Sequence, residues 1–338
     1  MEGKIIDFKP REASRATIGN DGVLGNLVDA MKEDLEEVEH CLKGVVGGCP
    51  SALKPSLMEL VYLKSERLPA LLFLACAKLF GPLKKEQYRM GAALETLNLA
   101  LNIHELLKGN YRETDKTKRE NIYNRQLLSG DYLLSFSLSL IAEYPEFVRG
   151  MAEIICRNVE GSFMEKTLET QAGFDAATYR KTYLHKISHK SASPFALSCA
   201  LGGWSCGAPP SRIELLAYYG HYLGLARQME TDLLEFENRV YRWLVKGKGK
   251  MAFTLPLIYI LETSAFRDKL LATLSLNFWG KKERELWEQE INRNNYKAYI
   301  RTIINDNCKE ALTSINSFPS GYAKEALMLL SGELELLT

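Results

Sequence analysis

The sequence lacks paired cysteines. Its seven, Cys41, Cys49, Cys76, Cys156, Cys199, Cys206 and Cys308, form no Cys-x-x-Cys. An odd number without metal-ligand spacing argues against a disulfide framework or a structural zinc site and predicts a reducing, cytoplasmic setting. A dominant charge sign is also lacking, since 43 Lys and Arg face 42 Asp and Glu. The total therefore calls for neither a nucleic acid nor an anionic membrane surface as partner. The opening "MEGKIIDFKPREASR" lacks an apolar h-region, so no signal peptide is expected. The longest apolar run, "LPALLFLACAKLFGPL", is interrupted by Lys78 and falls short of a bilayer span. The chain reads as soluble, not as an integral membrane protein. Alternation of β-branched residues, internal repeats, glycine-rich phosphate loops and nucleophile elbows are all missing.

What is present is helical periodicity. With 46% hydrophobic residues in 338, the chain can bury a large core. Segments such as "NLVDAMKEDLEEVEHCL", "YRMGAALETLNLALNIHELL" and "FVRGMAEIICRNVEGSFMEKTLE" repeat apolar residues at three- and four-residue spacings. "RLPALLFLACAKLFG" is apolar nearly all round, which predicts a helix buried within a bundle. "KGNYRETDKTKREN" reads as a surface loop, and three shorter helices are expected after "TLPLIYILET". The prediction is an all-α bundle of long helices, one domain over residues 1–338.

One helix, "LARQMETDLLEFE", sets Leu225, Met229, Leu233 and Phe236 on an apolar stripe and crowds the remainder with acids. From the residues alone, those acids are either a solvated face or the wall of a metal site. His185 and His189, at i and i+4, are spaced for a soft metal, although exposed helical histidines seldom serve that purpose.

Taken in order, several segments resemble the trans-prenyl diphosphate synthase (polyprenyl synthetase) family from about Lys64 to Glu262. They are "ERLPALLFLACAKLFG", "GAALETLNLALNIHE", "LLSGDYLLS", "YLHKISHKSASPFALSCALGG", "YYGHYLGLARQMETDLLEFE" and "TLPLIYILE". The resemblance implies an isoprenoid-synthase-type bundle around a central cavity. Members of that family join an allylic diphosphate to isopentenyl diphosphate. Magnesium ions, held by two Asp-Asp-x-x-Asp motifs on facing helices, meet the charge of the leaving diphosphate.

Here both motifs are damaged. The first reads "ELLKG", with Glu105, Leu106 and Gly109 in the acidic places; the second reads "TDLLE", with Thr231, Asp232 and Glu235. The resemblance thus makes Glu105, Asp232 and Glu235 a residual metal and diphosphate site. Asp232 and Glu235 are the candidates for one weakly held magnesium ion. Lys64, Arg67, Lys190, Gln228 and Lys250 are the phosphate-binding candidates it implies. Lys190 stands in "HKSASPF", close to the family's Lys-Thr-Ala. The Arg-Arg-Gly that follows the first motif in the family is not recognisable. Thr96, Leu97, Ala100 and Leu101, with no aromatic among them, are expected to line an open tunnel for a prenyl tail.

These features predict a divergent homologue of isoprenoid biosynthesis that does not elongate by itself. It would be a non-catalytic or regulatory subunit, or a prenyl-diphosphate-binding protein. It would form a homodimer or a heteromer with an active prenyl diphosphate synthase paralogue. The alternative is an atypical active prenyltransferase with a reduced magnesium site.

Overall fold

The computed structural model describes residues 31–61, 67–107, 116–170, 173–246 and 251–336, and the described residues form helices without a strand. In chain order these are α1 (Lys32–Gly47), α2 (Lys54–Val61), α3 (Leu68–Lys78), α4 (Lys85–Leu106), α5 (Lys116–Ser139), α6 (Pro145–Thr170) and α7 (Ala176–Ile187). A π-helical turn, Ser188–Ala192, joins α7 to α8 (Ser193–Ser205). Then come α9 (Pro210–Lys246), α10 (Leu255–Thr263), α11 (Arg267–Leu274), α12 (Lys281–Arg293), α13 (Tyr296–Ile315) and α14 (Tyr322–Leu336). The all-α prediction holds. No helix among the described residues is long and apolar enough to cross a membrane.

The helix apolar on every side lies at the centre. Pro69 to Ala77 of α3 are all buried, and α4, α8 and α14 pack around it. The 37-residue α9 is the other axis, lying against α8 and α13. Close approach at two points needs glycine. A Cβ on Gly202 would stand 2.4 Å from the Phe73 carbonyl, and one on Gly220 would stand 2.4 Å from that of Phe195.

In the π turn the Ser193 N–H bonds to the Ser188 carbonyl five residues back. Pro194, next in the chain, has no N–H to donate to the ladder. The wider turn holds Ser188 to Ala192 against α6 and α9.

Two expectations are corrected. Helix α5 already begins at Lys116, because the charged stretch Lys116–Asn121 is a continuation of its sequence, not a loop. Four helices follow α10, the third of them 20 residues long.

Candidate functional site

The π turn is where Glu105 and Asp232 come nearest to a common set of partners. Glu105, in the last turn of α4, is exposed, and its Oε2 lies 3.0 Å from Lys190 Nζ. The same ammonium donates to Glu165 Oε2 of α6 at 2.8 Å. Lys186, one turn earlier on α7, sits 3.9 Å from the other Glu165 oxygen. Burial alone opposes the Lys190 charge, but the carboxylates of Glu165 and Glu105 outweigh it and hold its pKa above that of an ordinary lysine. Gly161 makes the path for this side chain: a Cβ there would fall 2.5 Å from Lys190 Cγ.

Asp232 of α9 is only 6% exposed. The Tyr183 hydroxyl donates to its Oδ2 at 2.8 Å and the Gln228 amide to its Oδ1 at 2.9 Å. Ser191 of the π turn donates to the Gln228 carbonyl oxygen at 2.7 Å, which fixes which way that amide points. Burial pushes the Asp232 carboxyl up. Lys186, Tyr183 and Gln228 oppose that rise, and Glu235 adds to it.

Its motif neighbours turn elsewhere. The Thr231 hydroxyl donates to the Arg227 carbonyl at 2.9 Å on the exposed side of the helix. Glu235 is exposed and paired with Arg239 at 3.0 Å. Asp232 and Glu235, three residues apart, are thus committed to different partners. Magnesium requires converging, hydrated oxygens in a near-octahedral shell. With both Asp232 oxygens taken by Tyr183 and Gln228, and Glu105 held by Lys190, the donor set as arranged does not fit that ion. Among the described residues, no group of three or more His, Cys, Asp or Glu could hold a metal. His185 and His189 share none: His189 Nδ1 meets the His185 carbonyl at 2.8 Å and its Nε2 lies 3.4 Å from Glu160.

Arg67 is turned inward. It is 4% exposed, and its Nε donates to Glu39 of α1 at 2.7 Å. It is also the one described non-glycine residue with positive φ, 48°. Behind it, Glu95 of α4 is 1% exposed and accepts the Ala70 N–H at 3.1 Å, capping the start of α3. Burial drives the Glu95 pKa up to about 7 although the Arg67 charge pulls the other way. The Arg67 charge thus faces Glu39 and the buried Glu95 carboxyl. Lys64, Lys250, Lys108 and Gly109 lie outside the described residues.

The tunnel positions are packed. Thr96 and Ala100 are fully buried and Leu97 nearly so, while Leu101 is half-buried against the same core. The Thr96 hydroxyl is satisfied by the Ala92 carbonyl at 2.7 Å. Sequence reasoning also missed Tyr183, Lys186, Ser191, Gly161 and Glu165. Glu165, four residues after Gly161 in "EGSFME", had only its helical spacing as a signal.

The long-helix bundle, with Glu105 and Asp232 both tied to partners around the π turn, defines the class as an isoprenoid-synthase-type protein. Residues 52–286 match the family model of polyprenyl synthetases, and the chain belongs to that family. It is 28% identical over 256 residues to the heptaprenyl diphosphate synthase component 2 of Geobacillus stearothermophilus, covering 72% of this chain and 77% of the relative. The Bacillus subtilis protein of the same name is 23% identical over 313 residues, covering 89% and 87%. Among solved structures, the decaprenyl diphosphate synthase of Rhodobacter capsulatus superposes with a TM-score of 0.79 at 19% identity, over 93% of this chain and 98% of that one.

Proposed function

We propose that this chain is a non-catalytic or regulatory subunit that works with an active prenyl diphosphate synthase paralogue. The observation that carries the reading is the Glu105–Lys190–Glu165 bridge beside an Asp232 whose two oxygens are both occupied. A transferase must neutralise a departing diphosphate, and cations paired with the chain's own carboxylates are a poor match for that task. An anion reaching Lys190 would have to displace two carboxylates. The names of the Geobacillus and Bacillus relatives, each a "component 2", support a heteromeric assembly. A prenyl tail bound by this chain would have to open the packing around Thr96, Leu97 and Ala100.

The test is a prenyl-transfer assay with magnesium on the chain alone, on a paralogue with intact motifs, and on the mixture. No elongation by the chain alone, together with an altered rate or product length in the mixture, is the expected result. Ordinary turnover by the chain alone would establish the atypical transferase instead.

A further inference from the structure

A second feature lies at the C-terminal end of α9. Trp243 stacks on Trp279 with ring centroids 4.2 Å apart, and Trp279 stacks on Trp287 at 5.1 Å and 7°. All three are buried. Trp279 Nε1 donates to the Thr273 carbonyl at 2.9 Å and Trp287 Nε1 to the Thr273 hydroxyl at 2.8 Å. This stack is a rigid anchor beneath the turn at 275–280.

The anchored turn points Leu276 and Phe278 outward. Phe278 is 57% exposed and Leu276 43%, on either side of Asn277. Val245, at the end of α9, is 55% exposed. Arg284 ties the two segments together: it donates to the Leu244 carbonyl at 3.4 Å and to the Gly280 carbonyl at 3.3 Å, and its guanidinium lies 6.0 Å from the Phe278 ring centroid. Lys246, Lys281 and Lys282 are exposed around this tip. The nearby acids are Glu283, folded back on Gly280, and Glu285, loosely paired with Lys281 at 3.8 Å. Glu288 stands a turn or more further along α12. The tip is net positive although the whole chain is nearly neutral.

We propose that this tip docks the protein on an anionic lipid surface. Single exposed apolar residues are ordinary on protein surfaces. Leu276 and Phe278, two residues apart on a braced turn with Lys281 and Lys282 exposed beside them, match the interfacial zone of a bilayer instead. There, apolar side chains enter the headgroup boundary while cations meet lipid phosphates. A protein partner is the poorer fit, because a stable interface needs about 800 Å² from each side and so few protruding side chains supply only part of that. The inference is independent of whether the chain is catalytic.

The experiment is flotation of the full chain with vesicles of phosphatidylcholine alone and of phosphatidylcholine mixed with phosphatidylglycerol, at low and high salt. Binding to the mixed vesicles, weakened by salt, is expected. The Lys281→Glu/Lys282→Glu pair should weaken it by at least about fivefold per lysine, and Leu276→Ser/Phe278→Ser should abolish it. These positions are exposed, so thermal melts of the variants should match the parent. A control pair on α6, Val159→Ser/Phe163→Ser, alters residues that are 50% and 67% exposed and should leave binding unchanged. Absent binding, equal binding to both vesicle types, or equal loss in the control pair would overturn the proposal. So would a change of oligomeric state on Leu276→Ser/Phe278→Ser in a chain that ignores vesicles, since the tip would then be a protein interface.

Discussion

Lys190 holds two carboxylates at once, with Glu105 Oε2 at 3.0 Å and Glu165 Oε2 at 2.8 Å. Glu105 stands in the last turn of α4 and Glu165 on α6. The contact joins α4, α6 and the π turn, and it accounts for a positive charge at this depth in the bundle.

Replacing Lys190 with methionine keeps most of the volume and removes the cation that Glu105 and Glu165 share, with Lys186 remaining 3.9 Å from Glu165. Its side chain is 15% exposed, so the loss should be roughly 1–3 kcal/mol. Glu235→Gln, in an exposed pair with Arg239, should change stability by less than about 0.5 kcal/mol. Urea denaturation of the two variants at neutral pH makes the comparison. Equal effects would mean that the bridge contributes no more than a surface pair.

Glu95 sets a pH dependence. Its pKa moves from an ordinary 4.5 to about 7 on burial. A carboxyl whose folded pKa is the higher binds more protons when folded, so its contribution is greatest below pH 4.5 and falls as pH rises to about 7. At about 1.4 kcal/mol per pKa unit, the change is roughly 3 kcal/mol. Glu95→Gln still accepts the Ala70 N–H and does not ionise. The stability of this variant relative to the parent should therefore rise by about that amount between mildly acidic and mildly alkaline pH. A difference that stays flat across that range would place the Glu95 pKa near normal.

Two glycines should respond differently to alanine. The Cβ of Gly220→Ala meets the Phe195 backbone at 2.4 and 2.7 Å, and backbone inside a packed helix pair has nowhere to go. A net loss of about 2–3 kcal/mol is expected despite the better helix propensity of alanine. At Gly161 the nearest atoms are Lys190 Cγ at 2.5 Å, on a side chain that can swing, and the Lys186 carbonyl at 3.1 Å, which a small shift can relieve. Gly161→Ala should cost about 1–2 kcal/mol by shifting Lys190 away from Glu105 and Glu165. Thermal melts rank the two, and the reverse order would show that the π turn is the more rigid neighbour.

Restoring acids tests the damaged motifs. In Glu105→Asp, Leu106→Asp, Gly109→Asp and Thr231→Asp combined, both motifs regain their carboxylates and Asp232 is left in place. Magnesium-dependent product should appear in the variant, below an ordinary enzyme rate of about 1 per second, and be absent in the parent. Partial rescue is the expectation, because Asp232 remains tied to Tyr183 and Gln228. Calorimetry of the parent with magnesium and a diphosphate analogue should show little cooperative heat. Tight metal-dependent binding by the parent would contradict the donor arrangement described here.

Helix periodicity and the apolar α3 were legible in the sequence because they are local. Spacing along one helix decides which side is apolar, and a helix apolar on all sides must lie in the centre. The ordered run of motif remnants carried the family for a related reason: residue types along a segment do not depend on their spatial neighbours. The side-chain partners were not legible. Tyr183 and Asp232 are 49 positions apart and Lys190 and Glu165 25, and nothing in either segment names the other. The start of α5 was hidden because charged residues suit a loop and a solvated helix equally. Arg67 resembled a surface cation until the fold placed Glu39 and Glu95 around it. The tunnel residues kept their apolar character, but whether apolar side chains line a space or fill it depends on their neighbours' volumes. Sequence thus determined the helices and the family, which follow from local spacing and residue order. Tertiary packing alone decided which charges are neutralised inside the protein, because Coulomb and hydrogen-bond partners are chosen by distance in space.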